Sequence, residues 1–173
     1  MAYLVRKIRR PYLDRIKSAK VFSEIEADVV TSELRTQHNT LSTWRIERID
    51  DVSEAILAIA TSSTKIEKMD FIVIDEAAVF ERGLKTINSK SYATPIECLQ
   101  DMHYDIADLK VEGLGKITDI YKLMAEKDEN KYVISLFKSD VKKLLSEALA
   151  QRRFIVDDAN EQLREDLIKI APP

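Results

Sequence analysis

Asp75, Glu129, Lys131 and His103 are the residues whose types could do chemistry, and metal-assisted phosphodiester cleavage is the chemistry they would do. A Mg²⁺-dependent nuclease needs an acid on one strand, an acid-x-Lys on the next, and a divalent ion held between their oxygens. Asp75 ends the run Phe71-Ile72-Val73-Ile74, and Glu129-Asn130-Lys131 supplies the triplet. The triplet is not distinctive, because Asp108-Leu109-Lys110 and Asp140-Val141-Lys142 repeat it in segments that read as helical. His103 stands beside Tyr104 and Asp105, so it could serve as a general base oriented by an acid. The plainer readings are a helix cap at Asp75 for residues 76 to 83 and a hydrogen-bonded histidine at the core edge.

Four apolar residues followed by Asp75-Glu76 also form the pattern of the Mg²⁺-holding strand in P-loop nucleotide hydrolases. That pattern requires a phosphate-cradling loop, and Gly113-Leu114-Gly115-Lys116-Ile117-Thr118 comes nearest to one. Lys110 stands where the first glycine belongs, Ile117 stands where a hydroxyl must hold the metal, and the stretch follows the acidic strand instead of preceding it. The chain has three glycines in all, Gly83, Gly113 and Gly115, so no dinucleotide-binding fingerprint can be written. One cysteine, Cys98, and two histidines, His38 and His103, rule out a closed thiolate and imidazole zinc site within one subunit. Cys98 and His103 are five apart, a spacing that does not bring them to one helix face. No cofactor and no resident metal are expected.

The first twenty residues hold Arg6, Lys7, Arg9, Arg10, Arg15, Lys17 and Lys20 against Asp14 alone, in a chain whose total charge is −3. The remainder is therefore acidic. Cations interleaved with Tyr3 and Tyr12 could neutralise phosphates while the rings stack on bases, or could dock on an acidic protein surface. The alternative is that they balance the protein's own acids. Trp44, near the middle of a β-rich stretch, is either core or, on an uncovered sheet face, an interface anchor. Gln37, His38, Asn39 and Thr40 before it form a polar turn that would extend such a surface.

The elements that must position these residues follow from periodicity. Tyr3 to Ile8 reads as a strand stopped by Arg9-Arg10-Pro11, and residues 42 to 49 alternate as a second strand. Residues 69 to 75 are nearly continuous in apolar character, which suits a strand covered on both faces. Between the last two, Asp51 with Glu54 opens a helix over 52 to about 63, so a right-handed crossover is expected if the strands are parallel neighbours. Thr94-Pro95-Ile96-Glu97 reads as a capped helix start whose stripe continues through Leu99, Met102, Ile106 and Leu109. Gly113 and Gly115 are expected to break that helix before another begins at Leu114. Residues 131 to 137 fit strand or helix. Ser139-Asp140 caps a helix through Leu149, and Asp158 with Glu161 opens a last one; residues 21 to 40 show no clear period.

The expected fold is α+β, one domain over 1 to 173. A small mixed sheet from strands near 3–8, 42–49 and 69–75 packs with three to four helices of the C-terminal half, and a basic segment covers 1–20. At 173 residues, with 45 % hydrophobic and 33 % charged, the chain can bury a core without a staple and lies outside the disordered class. Its longest apolar run, Ala55 to Ala60, is far short of the roughly 20 residues a membrane helix needs. The charged start Met1-Ala2-Tyr3-Leu4-Val5-Arg6-Lys7 lacks a secretory apolar region, and with the lone cysteine points to the cytoplasm and away from membranes. The function expected is that of a non-catalytic protein–protein interaction subunit, an accessory or immunity-type component of a bacterial multi-subunit system. Its partner would be another protein. The alternatives are a DNA- or RNA-binding module using Arg6, Lys7, Arg9, Arg10, Tyr12, Arg15 and Lys17, and the nuclease centred on Asp75.

Overall fold

In the computed structural model, which describes residues 2–34 and 36–171, six strands form one antiparallel sheet. They are β1 (Tyr3–Ile8), β2 (Leu41–Ile46), β3 (Met69–Asp75), β4 (Lys85–Asn88), β5 (His103–Ala107) and β6 (Val133–Leu136), in the spatial order β4-β5-β2-β1-β3-β6. The helices are α1 (Arg10–Ser18), α2 (Ala27–Glu33), α3 (Val52–Thr61), α4 (Glu76–Glu81), α5 (Glu97–Gln100), α6 (Val111–Lys127), α7 (Glu129–Tyr132), α8 (Lys138–Ala150) and α9 (Glu161–Ile168). Among the described residues no helix is long and apolar enough to cross a membrane.

β1 lies between β2 and β3 and runs antiparallel to both, with Val5 opposite Trp44 on one side and Val73 on the other. β2 and β3 are therefore parallel to each other but not neighbours, and α3 carries the chain across β1. The expected strand, helix and strand over 42 to 75 are all present, with the second strand ending at Ile46 and followed by a 3₁₀ turn at Ile49–Asp51. Asp51 does not cap α3 through its side chain; it pairs with Arg48 at 3.0 Å, and Glu54 holds Arg153.

The unbroken apolar run of β3 is explained by cover on both faces. Leu4, Ile72 and Ile74 point one way, Val5, Phe71 and Val73 the other, and all six are fully buried. At roughly 1.5–3 kcal/mol for each large apolar side chain withdrawn from water, these side chains are a main source of stability. α6 covers the face that carries Arg6 and lies against β3, with α1 packed on it. α3 covers the other face, over β1 and β2, with α8 beside it above Ile134 and Leu136. Trp44 is 6 % exposed, so the covered face makes it a core side chain.

Three expectations are corrected. The helix anticipated from Thr94 through Leu109 is only the single turn α5, after which the chain extends into β5. Leu99 and Ile106, seven apart, suit a helical stripe, but pairing of His103–Ile106 with Leu41–Trp44 supplies the backbone bonds that decide the matter. Thr94 is buried, and its hydroxyl meets Thr61 Oγ1 at 2.8 Å instead of capping a long helix. Gly113 and Gly115 do not break a helix but lie inside α6, where a Cβ on Gly113 would stand 3.0 Å from Leu109 Cδ2 and one on Gly115 3.4 Å from Phe22. Close packing, not a turn, uses these glycines. The last two helices start elsewhere than expected. Asp140 is third in α8 and accepts from Phe137 N at 2.8 Å, while Asn160 caps α9 by accepting from Leu163 N at 2.9 Å. The undecided stretch 131 to 137 is both things in turn, the end of α7 and then β6.

Candidate functional site

The basic segment is distributed by two periods. Strand geometry sends Arg6 and Lys7 to opposite faces of β1, and Pro11, which cannot continue a ladder, sits in the first turn of α1. Lys7 Nζ meets Glu67 at 2.9 Å, Lys17 Nζ meets Glu129 at 2.8 Å, and Arg15 meets Glu26 at 2.5 Å. Arg10 bonds Glu129 and Asp14. The Lys17 and Arg10 cations hold the Glu129 carboxyl below the usual carboxylate range. Most of the segment thus balances the protein's own acids. Exposed pairs of this kind contribute about 0–1 kcal/mol each.

Arg6 and Arg9 make no ion pair among the described residues. Arg6 donates instead to two backbone carbonyls, Ser42 O at 2.8 Å and Glu33 O at 3.0 Å. Arg9 sets its guanidinium over the Tyr12 ring, 5.5 Å from the centroid. Between them opens a cleft of about 780 Å³, lined by residues 6 to 12, by Ser32 and Glu33 at the end of α2, and by Lys65, Glu67, Lys68 and Asp70 leading into β3. Its side chains bring six cations, Arg6, Lys7, Arg9, Arg10, Lys65 and Lys68, against three carboxyls, Glu33, Glu67 and Asp70. Helix α1 begins here with no cap from the side chain of Arg9 itself and no acid in its first turn, so its positive dipole end adds to the field.

Glu33 forms the cleft's floor. It is 4 % exposed, and its Oε2 accepts from the backbone N–H of Arg9 at 3.0 Å, at the cap position of α1. Burial pushes its carboxyl up to about 7, against the opposing pull of the Arg9 N–H and the charges of Arg6 and Arg9. Beneath it, Arg6 Nε and the Tyr121 phenol oxygen are buried without a hydrogen-bond partner among the described residues, and burial pushes the Tyr121 phenol up.

His103 lies at a second, polar cleft of about 650 Å³, shared with Arg6, Gln37, His38, Thr40, Ser42 and Asp105. Its Nε2 is 2.6 Å from Ser42 Oγ and its Nδ1 2.7 Å from Ser89 Oγ, while Trp44 packs edge-on with centroids 5.1 Å apart. Burial lowers the imidazole's pKa, against the pull of Asp105, so the ring is neutral at neutral pH. His38 and Asn39 hold positive φ at the tip of the turn that returns to Thr40.

The residues of the nuclease reading are spread over separate elements. Asp75 ends β3 and accepts from Ala77 N at 3.1 Å, the cap expected for a helix at 76. His103 is three strand spacings away, about 14 Å across the sheet. Glu129 and Lys131 belong to α7, where Glu129 is held by Arg10 and Lys17 and Lys131 sits by the Tyr132 ring. Among the described residues no three His, Cys, Asp or Glu side chains come together as a metal site. Lys116 of the glycine-bearing stretch pairs with Glu112 along α6, and Cys98 is free and exposed.

Of the sequence candidates, the structure brings Arg6, Lys7, Arg9, Arg10 and Tyr12 to one cleft and leaves Arg15, Lys17 and Trp44 outside it. Sequence reasoning missed Glu33, Lys65 and Lys68. Glu33 lies in the aperiodic stretch 21 to 40, and nothing in its neighbours marks it as buried. The two lysines precede β3 as an ordinary charged lead-in. No family model, no curated protein and no solved structure matches the chain.

Proposed function

We propose that the chain is a cytoplasmic, non-catalytic interaction subunit that binds a partner protein by receiving an acidic segment of it in the cleft beside β1 and α1. The observation that carries this reading is the charge inside the cleft: six cations face three carboxyls, and Arg9 has no ion pair among the described residues. A carboxylate chain supplies the ion pair that the Arg9 guanidinium lacks. The cleft is local. Beyond it Arg15 and Lys17 of α1 are matched by Glu26, Asp28 and Glu129, so among the described residues α1 does not continue the cleft as a basic stripe, which tracking of a polynucleotide backbone needs.

A nucleic-acid module is the second reading, favoured by Tyr12, a ring in the cleft with Arg9 and Arg15 at 5.5 and 5.9 Å from its centroid. Fluorescence anisotropy separates the two, using a labelled octaglutamate peptide and a labelled single-stranded oligonucleotide on the intact chain. The interaction reading expects the peptide to bind and Arg9→Glu with Lys68→Glu to abolish binding while the fold survives by circular dichroism. Tighter binding of the oligonucleotide, falling steeply with salt, would transfer the cleft to nucleic acid. Binding of neither would remove the reading.

A further inference from the structure

We propose that the cleft takes up a proton on Glu33 together with its anionic ligand, so that the ligand is held more tightly as pH falls. The inference rests on the cleft being an anion site and adds its regulation. Glu33 is the one carboxyl that already occupies the place an incoming anion would take: its Oε2 holds the Arg9 N–H at the head of α1. Ionised, it supplies the negative charge that the helix start and Arg9 attract, and it repels a second anion across the same space. Protonated, it leaves those groups to the ligand.

The groups that face it define what else can titrate. Arg6 from β1 and Arg9 from the head of α1 face it as guanidinium groups, and burial pushes the phenol of Tyr121 from α6 up. Lys65, Lys68, Glu67 and Asp70 line the far wall. Lys7 and Lys65 keep Glu67 ionised by holding its carboxyl below the usual range. Glu33 is pushed up to about 7 by burial, which puts its proton exchange where a modest change of pH acts. By reciprocity, an anion that binds better to the protonated site must raise the proton affinity of Glu33 by the same factor. Two like charges sharing a partly buried space make that factor about tenfold.

The probe is sulfate, which does not titrate between pH 6 and 8, measured by calorimetry at constant ionic strength on the full chain. With a Glu33 value of about 7, that tenfold factor should make sulfate bind about fivefold tighter at pH 6 than at pH 8. In buffers of different ionisation enthalpy at pH 7, binding should absorb a fraction of a proton from the buffer. Glu33→Gln should bind with the pH 6 affinity at both values and absorb none, and a His38→Gln, His103→Gln double variant should keep the uptake. Equal affinity at both pH values with no proton uptake, in a protein whose binding Arg9→Glu abolishes, would overturn the coupling and leave the anion site standing. Absence of sulfate binding at either pH would overturn the site, and the coupling with it. The proton measurement on the unaltered chain decides the matter even where Glu33→Gln fails to fold.

Discussion

Glu33 should make the protein less stable as pH rises through neutrality, the reverse of most carboxylates. Its folded value, about 7, lies above the ordinary 4.5, so between those limits the unfolded chain has released a proton that the folded chain keeps. Its contribution is fully present below pH 4.5 and lost above 7, by at most about 3 kcal/mol at 1.36 kcal/mol per unit. Thermal melts of Glu33→Gln and the parent should therefore diverge with pH, the variant gaining on the parent between pH 5 and 8. Parallel profiles would show that Glu33 ionises normally. Trp44 provides a second readout, being the only tryptophan and lying edge-on to His103. Protonated imidazole quenches indole, so fluorescence should drop on acidification with a midpoint below 6.5, and His103→Gln should abolish the step. At this scale the sequence was informative about identity and silent about surroundings. It marked Lys7, Arg10, Arg15 and Lys17 as candidates, but that each is paired depends on Glu67, Glu129 and Glu26, residues that only the fold brings to them.

The glycines of α6 make a test of how elements meet. A methyl group at Gly115 finds Phe22 at ordinary contact distance, so Gly115→Ala should stabilise the protein by about 0.5–1 kcal/mol in urea unfolding through restored helix propensity. At Gly113 the same change meets Leu109 Cδ2 at 3.0 Å with Leu84 behind it, and the gain should shrink or reverse. Equal gains at both sites would mean that α6 does not pack as closely as described. Elements were legible where one signal dominated. β3 announced itself by four consecutive apolar residues and α3 by its stripe, because burial on two faces or one leaves a period in the chain. The segment from Thr94 to Leu109 misled because its apolar residues satisfy the helical spacing while their hydrogen bonds go to β2, some sixty residues earlier. β4 was missed for the opposite reason: an edge strand of four residues, mostly exposed, carries almost no apolar pattern.

At the scale of the molecule, β1 is the seam of the sheet. It joins β2, β5 and β4 on one side to β3 and β6 on the other. A chain begun at Pro11 should therefore show no cooperative unfolding transition, since two half-sheets would each expose a long apolar edge. Retention of a sharp melt would mean that β2 and β3 can pair without it. The basic stretch is thus no detachable arm: Tyr3–Ile8 within it is the central strand. The same position governs how the protein is made. β1 leaves the ribosome before either neighbour, and its second partner is complete only at Asp75. At about 5–20 residues per second, several seconds pass in which an apolar strand with two open edges has nothing to pair with. The cations at Arg6, Lys7, Arg9 and Arg10 then act on the nascent chain as solubilising guards against edge-to-edge association, before they take up their places in the finished cleft.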